Sequence, residues 1–308
     1  MKRSLFIAAV AAVAGSSALA QSNVTIYGRA NVSVERQDAD GAKSTQMVNS
    51  SSRVGFKGTE DLGGGLKAGF VLEHGFNIDT GLPSGAFWGR QSEVNLSSGM
   101  GMVRLGNFTS EAYFATADYI SMHNHDTGTS SDALYAYLGR DTNKVAYRTP
   151  SLGGATVELG LGLKENNAKY TYDLAANWQG GPLHLGAGMQ KNDKANQVAV
   201  RALYELGAFT LGAYVQRDKD VYASGSRTNI RLSGMYAMGK AEVHLNIGRA
   251  GSYSNVSDSD ATQATVAYNY NLSKRTKLYT YYTKVNDSNK KVYGGDFSSL
   301  ALGMRHNF

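Results

Sequence analysis

Three features of the sequence combine residue types that could support catalysis or ligand binding. The polar stretch His123-Asn124-His125-Asp126 could hold a metal ion or transfer protons, but it brings no fixed third ligand, so it predicts no metal site. Serine, histidine and aspartate all occur, yet no Gly-x-Ser-x-Gly elbow accompanies them, so a hydrolase triad has no support. The glycines at 63–65 are followed by no Lys-Ser or Lys-Thr pair that would bind phosphate. The sequence therefore predicts neither an enzyme nor a bound cofactor or metal.

The composition of the 308-residue chain excludes further classes of protein. Because there is no cysteine, disulfide scaffolds, Cys-ligated zinc, iron–sulfur clusters and thiol catalysis are all excluded. No window of about 20 apolar residues could cross a bilayer as a helix. With 36 glycines and only 18% charged residues, the chain is a poor candidate for a soluble helical enzyme. The formal net charge of +6 is too small a surplus to indicate nucleic acid as a partner.

The first twenty residues have the pattern of a secretory signal. Lys2 and Arg3 precede an apolar run at 5–14, and Ala18 and Ala20 supply the small residues that a signal peptidase reads. The run is too short to span a membrane as a helix. We therefore expect residues 1–20 to be a cleaved signal peptide and residues 21–308 to form the mature domain; a membrane anchor is the alternative.

From Gln21 onward, apolar and polar residues alternate with a period of two. Residues 24–34 alternate without an error, and residues 157–163, 183–190, 209–215 and 241–247 repeat the pattern. A strand alternates in this way when one of its faces meets apolar surroundings and the other meets water. About sixteen segments of this kind fill the mature chain.

The connections between these segments also alternate. Seven short turns are expected near 61–65, 97–101, 150–154, 179–182, 206–208, 238–240 and 271–276. Eight longer polar loops are expected near 36–50, 74–87, 109–142, 164–169, 191–196, 217–228, 249–261 and 286–296. Short turns on one side and longer loops on the other are typical of an outer-membrane barrel with an even number of strands.

A soluble β-sandwich is the alternative fold, and two observations argue against it. The apolar faces contain many small residues, which would make a thin core between two sheets. Aromatic residues also collect near the short turns, as in an interfacial girdle: Tyr170, Tyr172, Trp178, Tyr204, Phe209, Tyr236, Tyr268, Tyr270 and Phe308. We therefore expect an all-β barrel of sixteen strands, closed by pairing of residues 24–35 with 297–308. A barrel of that size leaves a water-filled channel.

Five motifs, in order, cover essentially the whole mature chain. They are Val-Thr-Ile-Tyr-Gly (24–28), Ser-Arg-Val-Gly-Phe-Lys-Gly-Thr-Glu-Asp-Leu-Gly-Gly-Gly-Leu-Lys-Ala (52–68), Arg-Asp-Thr-Asn-Lys-Val-Ala-Tyr-Arg-Thr-Pro (140–150), Tyr-Asn-Leu-Ser-Lys-Arg-Thr (270–276) and Gly-Met-Arg-His-Asn-Phe (303–308). With them the chain resembles the trimeric general-diffusion porins of Gram-negative outer membranes, nearest to the neisserial and β-proteobacterial branch.

The resemblance implies a 16-stranded antiparallel transmembrane β-barrel with a long third loop, at about 109–142, folded into the lumen. It implies a passive channel for ions and small hydrophilic solutes in the outer membrane, reached through the periplasm. It also implies a homotrimer, contact with outer-membrane lipid or lipopolysaccharide, and no cofactor. The terminal Phe308 resembles the signal that the outer-membrane assembly machinery reads; it could equally be an apolar residue at the barrel seam.

Porins of this family narrow the pore with basic residues on the wall that face acidic residues on the third loop. Carried over by motif, the basic cluster is Arg53, Arg90 and Arg140, and the acidic residues are Asp118, then Glu111 and Asp126. Arg90 shares parity with apolar positions of its strand, so either a bulge intervenes or Arg90 lies above the hydrocarbon. The loop also lacks the Pro-Glu-Phe-Gly type of tip found in better-known relatives, which leaves its path open.

Charges expected to face the lumen are slightly more often basic than acidic. The ten basic residues are Arg29, Arg53, Lys57, Lys67, Arg104, Lys144, Arg148, Arg201, Arg231 and Lys277, and the seven acidic ones are Glu35, Glu73, Glu93, Glu158, Asp173, Glu205 and Glu242. This surplus predicts a weak preference for anions, since charge at a constriction sets ion preference. A substrate-specific porin, an adhesin and an outer-membrane enzyme are the alternatives. Tyr27, Tyr214, Tyr279 and Tyr281 do not form the aromatic ladder that a substrate-specific pore would need.

Overall fold

The computed structural model describes residues 23–123, 132–165, 169–287 and 289–308, without the side chains of Arg140 and Asp141. The expected signal peptide, residues 1–20, and the residues His125 and Asp126 lie outside this part of the chain.

The described chain forms one antiparallel sheet of seventeen strand segments. In chain order they are β1 (Asn23–Ala39), β2 (Ala42–Asn49), β3 (Arg53–Gly63), β4 (Leu66–Gly75), β5 (Gln91–Ser98), β6 (Gly101–Thr109), β7 (Arg140–Arg148), β8 (Ala155–Gly162), β9 (Thr171–Gly180), β10 (Leu183–Asn192), β11 (Ala195–Leu206), β12 (Phe209–Lys219), β13 (Ser226–Met238), β14 (Ala241–Ala250), β15 (Ala261–Asn271), β16 (Thr276–Asn286) and β17 (Phe297–Asn307). One short helix, α1 (Glu111–Tyr113), follows β6 and continues as a π-helical turn over Phe114–Asp118.

Strands β2 and β3 are two halves of one barrel strand. Both pair with β1: Val32 lies opposite Asn49, and Arg29 lies opposite Arg53. Between these pairs, β1 contributes residues 30 and 31, whereas the other strand contributes residues 50–52. The extra residue makes a β-bulge, and Ser51 adopts a positive φ of 55°. The barrel therefore has sixteen strands, which confirms the number expected from the sequence.

The two ends of the chain close the barrel. Strand β1 pairs with β17 from Arg29 opposite Asn307 to Ala39 opposite Phe297. Beyond this ladder, the amide of Gly28 donates to the carbonyl of Phe308 at 2.9 Å, and the amide of Phe308 donates back at 3.1 Å. Each of the sixteen barrel strands thus pairs with a neighbour on both sides along at least part of its length. The predicted pairing of the chain ends is confirmed, but it covers residues 28–39 and not 24–35. No helix among the described residues has both the length and the apolar character needed to cross a membrane.

The two faces of the wall differ in polarity. Along β11, Gln197, Ala199 and Arg201 are buried, whereas Val198 and Val200 are 48% and 53% exposed. The same alternation runs along β12, β13 and β15. The apolar side chains therefore face outward and the polar ones inward, which is the reverse of a β-sandwich.

Three of the expected longer loops are shorter than predicted, because strands extend into them. Residues 36–50 form a hairpin with a two-residue turn at Asp40 and Gly41, whose φ angles are 54° and 89°. In the same way, β10 and β11 extend into 191–196, and β12 and β13 extend into 217–228. A polar hairpin shows no alternation when water meets both of its faces, but its backbone ladder continues all the same. Tyr170 and Tyr172 are also misplaced, because they lie at the end of β9 opposite its short turn.

We expect the seam to be sensitive to added volume at Gly28. A Cβ at this position would collide with the Phe308 ring and lie 2.5 Å from the Arg53 carbonyl oxygen. Gly28→Val should therefore lower the free energy of unfolding by about 1–3 kcal/mol. Gly234→Val is the matched control, since a Cβ there meets only Leu211, at 3.6 Å. Urea titration in detergent, followed by circular dichroism, measures both; equal stability of the two variants would contradict this account of the seam.

Candidate functional site

The connection between β6 and β7 carries the candidate site, and an aspartate on β9 fixes its first turn. The Oγ of Ser110 accepts from the amide of Ala112 at 3.1 Å. The Asp173 carboxylate accepts from the Ser110 hydroxyl and from the amide of Glu111, each at 2.9 Å. These bonds satisfy amide groups that the start of a helix leaves without partners. We call residues 110–139 the long loop; it is described at 110–123 and 132–139.

The described part of the long loop lies against the inner wall. The guanidinium of Arg201 donates to the carbonyl of Ala115 at 2.8 Å, and that of Arg231 donates to the hydroxyl of Ser121 at 3.1 Å. Gln216 makes two bonds to the backbone of Ala136, at 2.8 and 3.0 Å. Helix α1 packs directly on Gly188 of β10. A side chain would not fit there, because a Cβ on Gly188 would lie 2.7 Å from the Ala112 Cα.

A largely buried cluster of charges fastens the start of the long loop to β5, β6, β7 and β8. The Arg104 guanidinium donates to Glu93 and Glu111, each at 2.7 Å, and to Glu158 at 3.0 Å. Arg148 also pairs with Glu111 and Glu158, each at 2.7 Å. We call these five residues the anchor cluster. Glu111 bridges two guanidinium groups there and connects the loop to the wall.

A cavity of about 460 Å³ lies between the wall and the long loop. On the wall side it is lined by Arg53, Glu73 and Arg90, and on the loop side by Asp118 and Asp132. The Arg90 guanidinium donates to Glu73 at 2.6 Å, and Arg53 lies 3.7 Å from the same carboxylate. Basic groups of the wall and acidic groups of the loop therefore line one wet space.

The structure brings together three of the residues expected at the constriction: Arg53, Arg90 and Asp118. Arg90 directly precedes β5, so the parity of that strand does not apply to it. Glu111 lies in the anchor cluster and not among the residues that line the cavity.

The other predicted residues occupy different parts of the barrel. The backbone of Arg140 pairs opposite Thr109 at the start of β7, while its side chain and all of Asp126 lie outside the described residues. Arg29 and Arg104 are buried on the inner face, and the Lys57 ammonium lies 5.3 Å from the centre of the Tyr27 ring. Phe308 packs at the seam.

Sequence reasoning missed two kinds of lining residue. Asp132 was not singled out, because nothing in the sequence indicates which parts of the long loop approach the wall. Five aromatic residues were also missed, because they follow no strand period: Tyr113, Phe114, Tyr135, Tyr137 and Tyr222. Glu73 was expected to face the lumen, but not to bridge the two arginines. Within the described residues, no group of three or more acidic or histidine side chains could hold a metal ion.

The profile of the family described as Gram-negative porin matches residues 7–290. The chain belongs to this family. Outer membrane porin protein 32 of Delftia acidovorans is 32% identical over 364 aligned residues, covering 100% of both chains. Major outer membrane protein P.IB of Neisseria meningitidis serogroup B is 32% identical over 206 residues, covering 59% of this chain and 56% of that protein. An anion-selective porin from Comamonas acidovorans has a similar structure, with a TM-score of 0.80 and 27% identity over 94% of this chain and 100% of that one.

Membership confirms several expectations at once. The protein is a porin of the Gram-negative outer membrane, and its strands are the membrane spans. Its relatives are channel proteins and not enzymes. The resemblance to the β-proteobacterial branch is confirmed by the Delftia and Neisseria proteins.

We expect the anchor cluster to contribute strongly to stability. Arg104→Gln leaves three carboxylates with one cation, Arg148, which bonds only two of them, and should lower the free energy of unfolding by about 3–5 kcal/mol. Arg249→Gln is the control, because Arg249 is exposed and lies 3.8 Å from Asp260; an exposed pair contributes about 1 kcal/mol or less. Urea titration in detergent measures both variants. Equal losses would show that the cluster does not hold the loop.

Proposed function

We propose that this porin is a general-diffusion channel whose constriction is the cavity between the long loop and the wall. The observation that carries the proposal is that Arg53 and Arg90 on the wall and Asp118 and Asp132 on the loop line one space of about 460 Å³. A barrel of sixteen strands encloses more space than its wall side chains fill. The loop would then set the width of the channel, and the charges would set what passes.

Opposed charges on the two sides of a narrow, water-filled constriction act on both water and solutes. The field between the two sets of charges orders water and orients dipolar solutes, while small ions pass along the axis. Solutes inside the cavity remain within reach of these charges, because screening in 0.1 M salt acts over about 10 Å. The proposal therefore predicts passive transport of small hydrophilic solutes.

We also propose that the channel weakly prefers anions. Many of the inner carboxylates already bind cations, as in the anchor cluster and in the pair of Asp218 with Arg227, at 3.0 Å. Arg201 and Arg231 instead donate to neutral acceptors, the Asn177 and Asn246 side chains and the loop. Cations whose bonded partners are neutral add positive charge to the inner wall next to the cavity, whose own lining has two guanidinium groups and three carboxylates. The anion-selective porin from Comamonas acidovorans supports the same sign.

The zero-current potential of the purified protein in a planar bilayer, under a KCl gradient, tests both proposals. Stepwise openings with a potential of the anion-selective sign are expected. Arg90→Gln should lower the anion-to-cation permeability ratio by roughly threefold, since it removes one charge at the narrowing. Arg217→Gln is the control, because Arg217 lies on the outward face of β12 and should leave the ratio unchanged. A folded, inserted protein that never opens would contradict the channel itself.

The resemblance further implies an assembly, and we propose it here: a homotrimer in contact with outer-membrane lipid and lipopolysaccharide. Conductance steps that appear in threes would support the trimer.

We propose also that Phe308 is read by the outer-membrane assembly machinery, in addition to packing on Gly28 at the seam.

We propose that export removes residues 1–20 and that the mature protein begins at Gln21. The basic start, the short apolar run and the small residues at 18 and 20 support this cleavage. Intact-mass measurement of the protein extracted from outer membranes should give the mass of residues 21–308. Ala20→Arg should block cleavage and leave residues 1–20 attached, whereas Gln21→Asn should be processed normally. Processing of the Ala20→Arg protein at the same bond would contradict the assignment.

A further inference from the structure

The constriction cavity is lined by several aromatic residues, most of them on the long loop, which general diffusion does not require. They are Tyr113, Phe114, Tyr135, Tyr137 and Tyr222; we call this surface the aromatic wall. From this surface and the charges around it, we propose that the cavity is a binding site for zwitterionic solutes that carry an aromatic ring, the class of the aromatic amino acids. The inference rests on the proposed function, since it assigns a solute class to that constriction.

The aromatic wall offers ring faces at the distances at which rings pack on one another. The Tyr113 ring lies 5.8 Å from that of Phe114, 5.6 Å from that of Tyr135 and 5.0 Å from that of Tyr137, between centroids. Aromatic pairs gain energy at separations of about 4.5–7 Å. Phe114 and Tyr222, which both line the cavity, are 41% and 45% exposed overall. A solute ring that covered them would remove apolar surface from water.

Hydrogen bonds hold the aromatic wall in place in the absence of solute. Tyr222 belongs to the connection between β12 and β13, and its hydroxyl donates to the Tyr135 carbonyl at 3.0 Å while accepting from the Tyr137 amide at 3.1 Å. Burial raises the pKa of the Tyr222 hydroxyl above its ordinary value. The Tyr113 hydroxyl donates to Asp132 at 2.8 Å. A preorganised site binds with less loss of conformational entropy.

The charges select a zwitterion over a simple anion or cation. The cavity is lined by two guanidinium groups, Arg53 and Arg90, and by three carboxylates, of which Glu73 lies between the two arginines. The other two, Asp118 and Asp132, belong to the loop that carries the aromatic wall. Arg53 and Arg90 carry two positive charges against the one negative charge of Glu73, so a solute carboxylate gains on the wall side. An ammonium gains on the side of the two aspartates, whereas a solute with one charge meets one attractive side and one repulsive side.

The size of the cavity fits this class of solute. Sites for small molecules have volumes of about 300–1,000 Å³, and this one has about 460 Å³. A solute of the size of an aromatic amino acid therefore fits within it.

The test is reversible block of the KCl current through the full-length mature protein in a planar bilayer. L-Phenylalanine is compared with L-leucine, which lacks the ring, with phenylpropionate, which lacks the ammonium group, and with phenethylamine, which lacks the carboxylate. We expect phenylalanine to block at a concentration about fivefold to tenfold below each of the other three. Equal block by leucine overturns the role of the ring, and equal block by either singly charged compound overturns the role of the paired charges. A folded protein without KCl current would instead contradict the channel proposal, so the two failures are distinguishable.

Two substitutions assign the effect to the named residues. Phe114→Leu should weaken block by phenylalanine about fivefold while leaving block by leucine unchanged. Phe87→Leu is the matched control, because Phe87 is an exposed ring outside the cavity and should change neither. Asp118→Asn should reduce block by phenylalanine toward that by phenylpropionate. If Phe114→Leu weakened block by phenylalanine and by leucine equally, the aromatic wall would act by its shape alone and the proposal would be wrong.

Discussion

Pairing of the backbone is the constraint on which the rest of this structure depends. In hydrocarbon, each N–H or C=O group without a partner costs several kcal/mol, so a spanning sheet must close on itself. The pairing of β1 with β17 meets this demand and brings Phe308 against Gly28. Closure at sixteen strands then makes the interior wider than wall side chains can fill. The inward positions consequently face water or the long loop, and that is why they are polar.

A polar interior also determines how the long loop is held. A loop inside an apolar core would leave many backbone groups without partners. The inner wall of this barrel instead supplies hydrogen-bond donors and acceptors to the backbone of the described loop. Asp173 accepts from the first amide groups of α1, Arg201 donates to Ala115, and Gln216 bonds both backbone groups of Ala136. The anchor cluster adds ion pairs that cost far more to break singly than exposed pairs do. The path of the described loop is therefore fixed by the wall.

Most of the fold could be predicted from the sequence, because one period governs every strand. The alternation predicted the sixteen strands, their inward and outward residues and the seam. It failed at residues 36–50, where water meets both faces of a hairpin and no alternation remains. The site was less predictable. Arg53 followed from a motif on a regular strand, but Asp132 and the aromatic wall depend on long-range packing, such as the bond between Ser121 and Arg231, which are 110 residues apart.

Two acids of the long loop show why charge alone does not determine a role in the pore. Glu111 and Asp118 lie within the same helical turns, yet Glu111 binds Arg104 and Arg148 in the anchor cluster, whereas Asp118 lines the cavity. The charge of Glu111 stabilises the fold, because two guanidinium groups neutralise it at 2.7 Å. Asp118 instead borders the cavity that a passing solute enters. Selectivity in this barrel therefore depends on which charges the wall leaves in contact with the water of the cavity, and the loop decides that by where it is held.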